Sequence, residues 1–177
     1  MKRCITDYLV QEHQELSHLL HELQEQLRVL PLARDHRSTA ERLSGLTRAV
    51  GEALRAHLVR EEQILYPALE RHVKGIAATL ERMRHDHDAG EETEKAFLEC
   101  LACLLKGGRN RPEVMQSGRQ YIQWLRRHLL DENGRLFPMV ERGLDPETQR
   151  EVRRAMEELS QETSARVSEG SAPAARA

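Results

Sequence analysis

Leucine and its apolar relatives recur in steps of four and three along four separate segments of this chain, and nothing else in the sequence constrains the fold as tightly. The first stripe runs Leu9, His13, Leu16, Leu20, Leu23, Leu27, Leu30, and the second Leu43, Leu46, Val50, Leu54, His57, Glu61, Leu65. The third runs Leu80, Met83, His87, Gly90, Glu94, Leu98, Leu101, Leu105, and the fourth Val114, Gly118, Tyr121, Leu125, His128, Glu132, Leu136. Such spacing keeps each set on one face of an α-helix and turns that face toward a core. Strand signals are weak, with few β-branched residues and only two Phe. The stretches "PLARDHRS", "RHVKG" and "KGGRNRP" supply the breaks between segments. The fold class this predicts is all-α: an up-down-up-down antiparallel four-helix bundle over residues 1–145. Pro146 suits the first turn of a shorter fifth helix over 146–160. The tail, 161–177, carries no stripe and reads as disordered.

The four stripes are two copies of one pattern. "HLVREEQILYPALE" begins at His57 and "HLLDENGRLFPMVE" begins 71 residues later at His128. "QEHQEL" around His13 likewise precedes "HDHDAG" around His87 by 74 residues. Helices one and two therefore resemble helices three and four, and the bundle should carry an approximate internal two-fold axis.

Each stripe has His where Leu is expected, and in two of them Glu follows four residues later. Residues four apart lie one turn apart on the same face. His57 with Glu61, and His128 with Glu132, therefore point inward, joined by His13 and His87 from the other two helices. Burying four imidazoles and two carboxylates costs several kcal/mol for each isolated charge, roughly speaking, and a shared cation removes that difficulty. Nitrogen and carboxylate oxygen without thiolate suit iron, manganese or zinc. Two Glu for four His suit two metals bridged by both carboxylates. If each metal is octahedral, a bridging oxo or hydroxo group leaves one exchangeable position per metal. Such a pair of positions suits a small diatomic molecule or peroxide, or the release of a metal.

Neighbouring residues are sorted by the same register. His87 keeps the stripe of Leu80, Met83 and Leu101, whereas His85 leans to the opposite face; the repeat also pairs Glu12-His13 with Asp86-His87. His18, His21, His36 and His72 fall off the stripes or in loops and read as solvated. Glu91, four after His87, and Glu94, on its stripe, are weaker candidates for an extra ligand. Glu62 and Asp131 flank the main candidates and read as solvated, with Glu62 or Asn133 as candidates to support a ligand from outside. Tyr66-Pro67 and Phe137-Pro138 should mark a kink or end where each helix closes over the site, their rings walling it from water. Cys100 and Cys103 form a CxxC inside a helical stripe and read as packing residues.

The pattern resembles the hemerythrin-like, HHE cation-binding domain across roughly residues 5 to 142. Within that family "HLVREEQILYP" and "HLLDENGRLFP" look most like the di-iron domain of the repair-of-iron-centres proteins. The resemblance implies a metal site of four His and two bridging Glu, here His13, His57, Glu61, His87, His128 and Glu132, holding two iron ions. It implies a protein that binds O2, NO or peroxide in the nitrosative or oxidative stress response or in iron–sulfur cluster repair. The alternative it carries is an oxygen- or iron-sensing or storage module without catalysis. Oxygen-carrying members have a fifth His where this chain has Glu91 and an Asp where it has Asn133, which argues against a dedicated oxygen carrier. Repair proteins carry a short cysteine-containing domain ahead of the bundle, whereas this chain reaches helix one with only Cys4; that favours a stand-alone hemerythrin-like protein.

Composition narrows the partners. Charged residues make up 32% of the 177, but they cancel to a formal −2, which offers no nucleic-acid surface. No apolar run approaches a membrane span. Three cysteines give no disulfide framework, and the start breaks into polar residues too soon for a secretory signal, so a cytoplasmic protein is expected. The expected partners are a small diatomic or peroxide ligand and an iron–sulfur protein.

Overall fold

The computed structural model describes residues 5–170, with side chains described as far as residue 161. Four long helices form the bundle: α1 (Ile5–Val29), α2 (His36–Arg60), α4 (Ala77–Leu105) and α5 (Arg111–Asp131). Two short helices, α3 (Tyr66–His72) and α6 (Phe137–Gly143), extend α2 and α5, and α7 (Pro146–Gly170) follows. Around the bundle α1 packs on α2, α2 on α4, α4 on α5 and α5 on α1, which closes the up-down-up-down ring. Among the described residues there is no strand, and no helix is long and apolar enough to cross a membrane.

Local chemistry sets the ends. Asp35 caps α2, its carboxylate accepting from the N–H groups of Arg37 and Ser38 at 3.0 and 3.1 Å. Gly107 ends α4 at φ +93°, a conformation that costs a side-chain-bearing residue 1–2 kcal/mol, roughly. α7 begins at Pro146 as its sequence suggests, but it continues to Gly170, past the expected end at 160 and into the tail expected to be disordered. The remainder of the expected tail, 171–177, lies outside the described residues.

The two aromatic-proline steps do not end their helices. Each is preceded by a five-residue π-helical segment, Glu61–Leu65 and Glu132–Leu136, and helical backbone then continues as α3 or α6. In each segment the aromatic N–H bonds five residues back, Tyr66 to the Glu61 carbonyl and Phe137 to the Glu132 carbonyl. The cause is the proline that follows. Its ring clashes with the carbonyl four residues earlier and it donates no hydrogen bond. One widened turn relieves both problems without ending the helix.

Two apolar clusters fill the bundle. One gathers Leu16–Leu27 of α1 and Leu30 just after it with Leu43–Leu54, Phe97, Leu101 and the Val114–Leu129 face of α5. The other gathers Ile5 and Leu9 with Leu65–Leu69, Leu80, Met83, Leu136–Leu144 and the α7 residues Val152 and Met156. His13, His57, Glu61, His87, His128 and Glu132 belong to neither cluster. The site is thus a polar layer with an apolar cluster on each side.

Candidate metal centre

All six predicted residues meet in that layer. His13, His57, Glu61, His87, His128 and Glu132 are each at most 5% exposed, so bulk solvent does not reach their polar atoms. The four Nε2 atoms turn inward. His13 Nε2 and His57 Nε2 approach to 3.2 Å, and both face one oxygen of Glu132, Oε2, at 3.1 and 3.5 Å. The other Glu132 oxygen, Oε1, lies 3.1 Å from His128 Nε2 and 3.9 Å from His87 Nε2. Glu61 spans the same two pairs, with Oε1 3.7 Å from His57 Nε2 and Oε2 3.8 Å from His87 Nε2. Two donor groups result, His13–His57–Glu132 and His87–His128–Glu132, their ligand atoms within 4.8 Å of one another.

Each imidazole is held from behind. His57 Nδ1 meets Glu12 at 2.9 Å, His128 Nδ1 meets Asp86 at 3.0 Å, His87 Nδ1 meets Glu62 at 2.5 Å, and His13 Nδ1 meets Asn133 at 3.2 Å. Oxygen acceptors on all four Nδ1 atoms fix the tautomer with hydrogen outside and lone pair inside. Lone pairs 3.2 Å apart repel unless a proton or cation lies between them. Glu61 Oε1, both oxygens of Glu132 and His128 Nε2 are buried without a hydrogen bond. Buried polar atoms are almost always partnered, and this donor set of nitrogen and carboxylate oxygen fits a hard to borderline divalent cation.

In the cation-free chain, protons supply part of that charge. Burial alone lowers an imidazole pKa, yet the charge of Glu61 and the contacts with Glu12 and Glu132 push His57 up to about 10. Burial opposes His128 likewise, but Asp86 and Glu132 raise it to about 9. The carboxylates divide the work. Burial works against charge on Glu132 as well, but His128, His13, His57 and His87 together hold it ionised, well below the usual range. Burial and the charge of Glu132 then push Glu61 well up.

The aromatic steps wall the site from one cluster. Phe137 stacks on His13 with centroids 5.0 Å apart. Tyr66 lies against His87 at 6.0 Å, and its hydroxyl donates to Glu61 Oε2 at 3.1 Å. Trp124 stacks on His128 from the other cluster at 5.3 Å and donates its indole N–H to the Asp86 carbonyl at 3.1 Å.

The residues set aside lie elsewhere. His85, Glu91, His18, His21 and His72 are exposed, and His36 packs on Arg111 at the surface. Glu94 is buried but bound by Arg55 at 3.1 and 3.2 Å, away from the layer. Asp131 pairs with Arg135 at 3.2 Å. Cys100 packs at the core edge and Cys103 is exposed, both as free thiols.

Sequence reasoning found the inward set and named Glu62 and Asn133 as candidates to support it, and both do; it missed the other two supports. Glu12 and Asp86 served only to set register, although an acid before the histidine in both repeats was itself the signal. One residue back on a helix is a 100° turn, which aims Glu12 and Asp86 at the neighbouring helix and its histidine. The hydroxyl of Tyr66 and the anchoring of Glu12 by Arg60 at 2.5 Å were not legible. A comparison with curated proteins returns no match. The family model of the hemerythrin HHE cation binding domain, by contrast, matches residues 4–140. Over that span lie the bundle, the duplicated His and His-x-x-x-Glu pattern and the buried layer they form, and the chain belongs to the hemerythrin HHE cation-binding family.

Proposed function

We propose that His13, His57, Glu61, His87, His128 and Glu132 hold two iron ions, bridged by both glutamates, and that this centre binds O2, NO or peroxide. One observation carries the reading: each buried glutamate offers one oxygen to the His13–His57 pair and the other to the His87–His128 pair. Iron so held supplies redox chemistry and exchangeable coordination positions to a small ligand. The chain's own residues do the rest. Glu12, Asp86, Glu62 and Asn133 keep the imidazoles oriented, while Tyr66, Phe137 and Trp124 limit water around them. The role this supports is in nitrosative or oxidative stress, with repair of iron–sulfur proteins as its most specific form.

The test is anaerobic. Reduced, iron-loaded protein is mixed separately with nitric oxide and with peroxide, and the optical spectrum and ligand consumption are followed. A stoichiometric spectral change with either supports the reading, and no change with either, or with oxygen, removes it. Sensing without turnover is a second reading, favoured by the contact of α7 with the site's support. Ser160 of α7 lies 3.1 Å from Arg60, which holds Glu12 and through it His57. Binding without catalytic consumption of ligand would select that reading.

A further inference from the structure

The two halves of the centre share a frame but differ in what stands behind it. Glu12 on His57 matches Asp86 on His128. Beyond that pair the copies diverge, and the differences fall on the same side. Glu62 puts a carboxylate 2.5 Å from His87 Nδ1, where its counterpart Asn133 offers His13 a neutral amide at 3.2 Å. Tyr66 brings a hydroxyl to 3.4 Å from His87 Nε2, where its counterpart Phe137 gives His13 only a ring face.

The countercharges widen the gap. Arg60, 11% exposed, binds Glu12 at 2.5 Å and offsets its charge. Asp86 has Arg127 at 3.8 Å, a side chain 67% exposed and screened by water. Arg84 lies over the outer face of Tyr66 at 5.3 Å but is paired with Glu70 at 3.1 Å. The imidazoles of His87 and His128 thus face two carboxylates with weak countercharge. Those of His13 and His57 face one carboxylate, largely neutralised, and one amide. A carboxylate on the far nitrogen raises the basicity of an imidazole toward a cation.

We infer that the two cation positions are inequivalent and that the His87–His128 position fills first. The inference rests on the two-cation reading and adds an order to it. Glu62 is the positioning residue that sets most of the difference, because it puts a carboxylate on His87 Nδ1 where Asn133 gives His13 a neutral amide.

Zinc alone is a suitable probe, being diamagnetic and content with nitrogen and carboxylate ligands. Metal-free full-length chain, labelled with nitrogen-15 in histidine, is titrated with zinc while calorimetry counts the equivalents. With one equivalent the Nε2 resonances of His87 and His128 should move to bound positions while those of His13 and His57 stay free; the second equivalent should move the latter pair. Glu62→Gln should weaken the first step roughly ten-fold and spare the second. Asn133→Asp should strengthen the second step and bring the two together, a gain no merely structural role would give. Four imidazoles shifting together, His13 and His57 shifting first, or a first step unmoved by Glu62→Gln would overturn the order while leaving two cations in place. A folded chain that takes up only one equivalent in all would overturn the order and the two-cation reading beneath it.

Discussion

Gly90→Ala tests whether the centre is built on one tight contact between α4 and α5. A Cβ at residue 90 would lie 2.0 and 2.1 Å from Trp124 Cζ2 and Cη2, far inside any allowed contact. The ring has nowhere easy to go. His128 stacks on it at 5.3 Å, Tyr121 stacks at 6.2 Å, and its N–H is spent on the Asp86 carbonyl. Overpacking of this kind costs about 1–3 kcal/mol. Loss of the indole hydrogen bond would add about 1 kcal/mol, and the better helix propensity of Ala returns about 1 kcal/mol. The net expectation is a loss of about 2 kcal/mol, a Tm lower by roughly 4–8 °C for a chain of this size. Because Trp124 and Asp86 both brace His128, metal content should fall too. Gly45→Ala is the control: its added Cβ meets nothing within 4 Å, so propensity alone should raise stability by up to about 1 kcal/mol. Thermal melts of metal-free protein and metal analysis of loaded protein read both effects. A Gly90→Ala chain as stable as Gly45→Ala, with full metal content, would refute the packing argument.

Other expectations are quicker to check. His87→Ala should lower metal occupancy while His85→Ala stays near wild type, since one is buried in the layer and the other exposed; elemental analysis decides between them. Glu61→Ala and Glu132→Ala should each loosen both cations rather than one, because each carboxylate faces both histidine pairs; metal content unchanged in both would remove the bridging assignment. The cation-free chain should lose stability in alkali. His57 and His128 have folded pKa values raised from 6.5 to about 10 and about 9, so their contribution is complete below about pH 6.5 and is lost as pH rises through 9 to 10. Cation binding displaces those protons, so affinity should rise with pH over the same window, and loaded protein should not show the alkaline loss; melts with and without metal from pH 6 to 10 test both.

The bundle and its inward set were legible because both obey one period. A buried helical face repeats every three or four residues, and His13, His57, Glu61, His87, His128 and Glu132 occupy slots in that repeat. The choice of His87 over His85 followed from the same 100° step. What lay off the period was harder. Glu12 and Asp86 project toward a neighbouring helix, so their partners depend on how helices are set side by side, which no single stripe encodes. Tyr66-Pro67 and Phe137-Pro138 were read as a kink or an end; the end is ruled out by the π-helical turns at Glu61–Leu65 and Glu132–Leu136, because proline alone does not say whether a helix stops or widens. Glu94 sat on the stripe and was held open as a ligand. Its partner Arg55 lies on another helix, and the pairing takes it away from the layer.

Anomalous diffraction from iron-loaded crystals of the full chain tests the central claim most directly. The account predicts two iron peaks, one against His13 and His57 and one against His87 and His128, roughly 3.5–4 Å apart as in other paired-metal sites, with Glu61 and Glu132 spanning both. A single peak in the layer, or iron bound elsewhere with these six side chains uncoordinated, would contradict it.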